Sequence, residues 1–160
     1  VTAWVGIDPD SNATGIAFLG DDNKVVSAGV VRAHGSAPFF RVASILSQFE
    51  AVAMDGPRVT GGAIEVMQHY KGSPVNPNNL MLLNLIAGGA KVCFPLAKLS
   101  KPGEWKGQIP KTVHHRRILK IVGNDWRNED VVFGDPAKGN HWKEVYDAIG
   151  LALWAKGAMR

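Results

Sequence analysis

Four carboxylates fall where the chain can aim them inward. Asp8 closes the apolar run Ala3–Ile7, and Asp55 closes the apolar run Ala51–Met54. Both runs read as buried strands. If the strands are parallel neighbours, both acids leave the sheet at its carboxyl edge, where open α/β sheets bind ligands. Glu144 and Asp147 lie three apart in a helical stretch and share a face. That face continues through Ala148 and Leu151, so it points into the protein and carries two acids with it. Carboxylates gathered without compensation repel one another and raise their own pKa values. Divalent cations relieve the conflict, since hard Mg²⁺ takes oxygen ligands. Two such ions about 3.5–4 Å apart activate water and stabilise the leaving oxygen in phosphodiester hydrolysis. Taken singly, Asp8 and Asp55 are also ordinary turn acids, and Glu144 and Asp147 also suit the start of a helix through its dipole. The conjunction is what carries the metal reading. Asp10 reads as a turn residue, and Asp21, Asp22, Asp125, Glu129, Asp130 and Asp135 read as solvated.

These acids need a scaffold. Ala3–Ile7, Thr14–Leu19 and Lys24–Val31 read as three antiparallel strands separated by turn clusters. Phe39, Val42, Ile45, Leu46 and Phe49 have helical spacing, which predicts a helix over Pro38–Phe49 followed by a strand over Ala51–Met54. That strand lies parallel to the first through a right-handed crossover. Gly56–Asn79 reads as a long loop with a short helix near Ala63–His69; loops of that length are usually functional or mobile. A helix over Asn79–Val92, a strand over Pro95–Leu99, a helix from Pro110 to Val122, a short strand at Val131–Phe133 and a helix over Trp142–Ala158 complete the chain. The order βββαβαβαα predicts one α/β domain over residues 1–160, a five-stranded mixed sheet flanked by helices.

The 160 residues are 46% hydrophobic and 20% charged, an ordinary globular composition. A net charge of +4 makes a polyanionic partner plausible. Cys93 is the only cysteine, which excludes an intramolecular disulfide and a Cys-based zinc site and reads as a buried thiol in an intracellular, reducing compartment. No apolar run is long enough to span a membrane. On the helix after Pro110, Arg116, Arg117 and Lys120 form a face that suits phosphate contacts or plain solvation. The Gly56–Asn79 loop carries Arg58, Met67, His69, Tyr70 and Lys71. Tyr70 or Met67 there could wedge between bases, or pack beneath the loop. Trp105 and Trp154 read as core, and His34 and His114 carry no ligand pattern and read as solvated or core.

"GIDPDSNATGIAFL", "AVAMD", "KPGEWKGQIPK" and "EVYDAIGLALWA" together resemble the RuvC-type Holliday-junction resolvases of the ribonuclease-H-like superfamily, nearest their phage and chloroplast branches. The resemblance implies a ribonuclease-H-like fold and a Mg²⁺- or Mn²⁺-dependent endonuclease of DNA recombination and repair. It implies that the enzyme resolves four-way junctions as a homodimer, with two ions per site held by Asp8, Asp55, Glu144 and Asp147. It also sets Lys106 and Lys111 near the site, on DNA, and makes His141, one turn before Glu144, a possible auxiliary. The family's second acid is usually Glu, so Asp55 is one methylene short, and its third is usually Asp or His rather than Glu144. The helix Asn79–Val92 is a candidate dimer face or an ordinary core helix. Other readings are a ribonuclease-H-like nuclease for RNA, hybrid or flap substrates (YqgF-like), and a non-catalytic DNA-binding module of the same fold.

Overall fold

The computed structural model describes residues 1–128 and 130–159. Three antiparallel strands open the chain: β1 (Thr2–Asp8), β2 (Ala13–Leu19) and β3 (Val25–Arg32). They are followed by α1 (Pro38–Asp55), β4 (Arg58–Glu65), α2 (Pro77–Cys93), β5 (Ala97–Ser100), α3 (Pro102–Trp105) and α4 (Lys111–Val122). A 3₁₀ turn at Asp125–Asn128, β6 (Val132–Phe133) and α5 (Trp142–Lys156) complete it. The sheet has six strands in the order β5-β4-β1-β2-β3-β6, one more than the sequence predicts. The sixth is β6, the short strand expected at Val131–Phe133, which joins the sheet at its edge by pairing parallel with β3 through Ala28 and Gly29. No helix among the described residues is long and apolar enough to cross a membrane.

One expectation needs correction. Ala51–Asp55 is not a strand but the last turns of α1. Val52 continues the spacing of Val42, Ile45 and Phe49, and Ala, Glu and Met favour helix until Gly56-Pro57 ends it. The strand parallel to β1 is Arg58–Glu65, inside the segment read as loop. Its Gly61-Gly62 pair breaks the apolar pattern for a packing reason. A Cβ on Gly61 would run into the Trp4 ring, and one on Gly62 into the Val5 carbonyl.

Side-chain alternation divides the core. Ala3, Val5 and Ile7 point to the face covered by α1 and α2, with Ile16, Phe18, Ile64, Ile45 and Phe49. The opposite parity faces α5: Ala13, Ala17, Leu19 and Ala63 pack there against Val145, Ala148, Ile149 and Ala152. Gly6 and Gly15 allow α5 to lie directly on β1 and β2. A Cβ at Gly6 would collide with the Ala148 carbonyl, and one at Gly15 with the Glu144 carbonyl.

Candidate active site

Asp8 has the parity of Gly6, and Glu65 that of Ala63, so both strand-end acids emerge on the face that α5 covers. Ile7 pairs with Ile64, which sets Asp8 and Glu65 side by side at the carboxyl edge of two parallel strands. Gly15, the partner of Asp8 across β1 and β2, lies against the backbone of Glu144. Helix α5 thereby brings Glu144 and Asp147 to the same edge, only 5% and 2% exposed. Three of the four acids expected together are together. Asp55 is not among them. It ends α1, exposed, in a cleft with Phe18 and Phe133, next to the amino end of β4. A strand of this length separates the two edges by about 20 Å. Glu65 takes the position expected of Asp55.

Two lysines and two ring nitrogens hold these acids. Trp105 Nε1–H donates to Glu65 Oε2 at 2.7 Å, within the core, and Lys106 Nζ lies 3.2 Å from the same oxygen. Lys111 Nζ is 2.8 Å from Asp147 Oδ2, with Lys106 at 3.9 Å. His115 Nε2 is 2.8 Å from Asp147 Oδ1. Glu144 is served less well: Lys143 Nζ stands 3.4 Å from Oε1, and His141 Nδ1 is 3.7 Å from Oε2, beyond hydrogen-bond reach. Glu144 Oε2 and His141 Nδ1 are both buried without a partner.

The charges follow from this geometry. Burial, then the neighbouring charges of Glu65 and Asp147, push the Asp8 carboxyl well above the usual carboxylate range, against the pull of Lys106 and Lys111. Burial also acts to raise Asp147, but the hydrogen bonds from His115 and Lys111 outweigh it and hold that carboxyl low. Lys111 is raised: burial opposes its charge, and Asp147, Asp8 and Glu144 more than compensate.

The donor set suits a hard divalent cation: four carboxylates, one with an orphaned buried oxygen and another kept from ionising easily by burial and by its acidic neighbours. As the side chains stand, no three acidic, imidazole or thiol groups among the described residues are grouped to hold an ion. Ammonium groups neutralise the carboxylates instead.

The other predicted residues divide by position. Arg116, Arg117 and Lys120 are exposed along α4. Tyr70 is 61% exposed on the loop 66–76 that leaves the site from Glu65. Asn84 of α2 ties that loop down, its Oδ1 accepting from the Met67 N–H at 3.0 Å and its Nδ2 donating to the Met67 carbonyl at 3.1 Å. Arg58 is not on that loop. It opens β4, opposite Thr2, at the end of the sheet away from the acids. Asp10 is a turn residue, with Oδ1 accepting from the N–H groups of Asn12 and Ala13. The acids read as solvated are exposed, except Glu129, which lies outside the described residues. Sequence reading missed Glu65 and His115 and took Trp105 for core alone. The signal for Glu65 was a strand-like stretch closing on an acid, "RVTGGAIE", with the Glu that the resemblance calls for.

No protein-family model matches the chain, and no curated protein matches it in sequence. Solved structures do. Thermus thermophilus RuvC in complex with a Holliday junction substrate is 17% identical with a TM-score of 0.66, over 96% of this chain and 91% of that one. Another T. thermophilus RuvC structure gives 16% and 0.64, over 94% and 91%. The yeast mitochondrial Holliday junction resolvase Ydc2 gives 11% and 0.43, over 92% and 75%. The chain has the RuvC-type, ribonuclease-H-like fold, a mixed α/β sheet flanked by helices.

Proposed function

We propose that this chain is a metal-dependent endonuclease of branched DNA, acting on four-way junctions above all. One observation carries the reading: Asp8, Glu65, Glu144 and Asp147 converge from two parallel strands and the last helix at the carboxyl edge of a RuvC-type sheet. In this reading the four hold two Mg²⁺ or Mn²⁺ ions. Ions bound there supply an activated water and stabilise the leaving oxygen of a phosphodiester. The chain's own residues prepare the site. Trp105 fixes the rotamer of Glu65, and His115 fixes that of Asp147. Lys106 and Lys111 present ammonium groups where the scissile phosphate would lie and offset charge on it. Arg116, Arg117 and Lys120 extend the cationic surface along α4, and Tyr70 sits on the loop that would approach the junction centre. Cys93, half-buried and with its thiol pushed up by burial, fits a reducing compartment.

A homodimer completes the reading, because a two-fold pair would offer two sites to the two opposed strands of a junction. Helix α2 supports it. Leu80, Ile86, Ala87 and Ala90 are buried, while Met81, Leu85, Gly88 and Val92 form an exposed stripe on the other side.

The test is cleavage of a synthetic four-way junction with Mg²⁺ or Mn²⁺, beside duplex, flap and RNA–DNA hybrid. Paired, metal-dependent cuts in the junction that leave 5′-phosphates are expected. Cutting of the hybrid with the junction left whole would instead make this a ribonuclease of the same fold. Binding with no cutting of any substrate would make it a DNA-binding module.

A further inference from the structure

Beside the acid cluster lies a second, polar cleft that the proposed chemistry leaves unused. It has a volume of about 370 Å³ and is lined by Asn124, Arg127, Asn128 and Trp142. The Arg127 guanidinium lies over the Trp142 ring at 4.4 Å and faces Tyr146 at 5.8 Å. Buried Trp126 stands edge-on to both rings, 6.0 Å from Trp142 and 6.2 Å from Tyr146. Its Nε1–H donates to the Gly123 carbonyl at 3.0 Å, and the Arg127 N–H donates to the Asn124 carbonyl at 3.1 Å. The planar surfaces are therefore held by both packing and backbone, and the two exposed asparagines stand at their rim.

The cleft is close to the chemistry. Trp142 opens α5 two residues before Glu144. Tyr146 also contacts the His115 ring at 5.2 Å, and His115 bonds Asp147. One aromatic layer thus separates the cleft from the acids. Arg116 and Lys120, one turn apart, are exposed on α4, which ends at Val122 two residues before Asn124.

We propose that this cleft takes an unpaired nucleobase of the bound strand, next to the phosphate at the acids, and gives the protein a base preference there. Flat cationic and indole surfaces stack bases of any kind. Asparagine amides carry the paired donor and acceptor that read a base edge. A phosphate would call for converging donors, whereas Arg127 is turned face-on to a ring. The proposal takes its ligand from the nuclease reading, but its test does not depend on cleavage.

The test uses four-way junctions with each base in turn at the positions flanking the expected cut. Affinity is measured with Ca²⁺ in place of Mg²⁺, and cut positions are mapped separately with Mg²⁺. The wild-type chain is expected to favour one base by about 5- to 100-fold. The double variant Asn124→Ala/Asn128→Ala, both exposed and therefore neutral to folding, is expected to level that preference. Equal wild-type affinity across the panel would overturn the proposal. So would a variant that weakens every junction by the same factor with a shallower salt dependence, the mark of a phosphate contact. A wild-type base preference in binding that the variant loses, with no cleavage at all, would sustain this inference while removing the nuclease reading.

Discussion

Glu65 and Asp55 differ by one methylene in chemistry and by the length of a strand in position. Glu65→Gln is expected to lower junction cleavage at least a hundredfold, since it removes a charge among the four acids. It keeps an oxygen for Trp105, so the fold should survive. Asp55→Asn is expected to leave the rate unchanged; single-turnover cleavage of one junction by both variants checks the pair. Asp8 predicts a pH effect. Its folded carboxyl is raised above its unfolded value of about 3.9. Between those two values the native state binds more protons than the unfolded one, so stability falls as pH rises through that window. Metal-free protein should lose thermal midpoint there, and Asp8→Asn should flatten the loss and unfold a few degrees higher at neutral pH, about 2–4 °C per kcal/mol. A variant that unfolds lower than wild type by calorimetry at neutral pH would contradict this. Asp8, Glu144 and Asp147 were legible because their sequence neighbours reveal their direction: an apolar run before the first, and an apolar face after the others. His115 was not, since adjacent histidines on a basic helix give no sign of which one turns toward an acid.

Helix α5 was legible because its apolar face is unbroken, and β1–β3 because turn clusters set off their apolar runs. β4 was hidden by the glycines that let Trp4 and Val5 pack against it, and helix α1 ran on because nothing in Ala51–Asp55 stops a helix before Gly56-Pro57. The same close approach makes glycine a sensitive position elsewhere. Gly15→Ala puts a methyl into the Glu144 carbonyl, so α5 must shift off the sheet. Overpacking of this kind costs about 1–3 kcal/mol, which denaturant midpoints will read. Activity should fall by far more than that destabilisation implies, because the shift carries Glu144 and Asp147 away from Asp8. Equal, small losses in both would mean that α5 tolerates movement.

For the whole molecule, the stripe Met81, Leu85, Gly88 and Val92 sets the prediction. Leu85→Glu buries a charge in any two-fold contact along α2 but is harmless on a monomer, where Leu85 is 43% exposed. Sedimentation should show dimer becoming monomer with the thermal midpoint of the monomer intact, and paired cuts should give way to single nicks. The lysines at the acids have a further consequence. Lys106 and Lys111 serve as internal counterions to Glu65 and Asp147; on the proposed reading, a cation held by the carboxylates would free these ammonium groups to meet DNA phosphate. Cation loading and DNA affinity would then be linked, each strengthening the other. Junction affinity should be higher in Ca²⁺ than in EDTA, and Lys106→Met/Lys111→Met should remove most of that difference while tightening Asp8's hold on its proton.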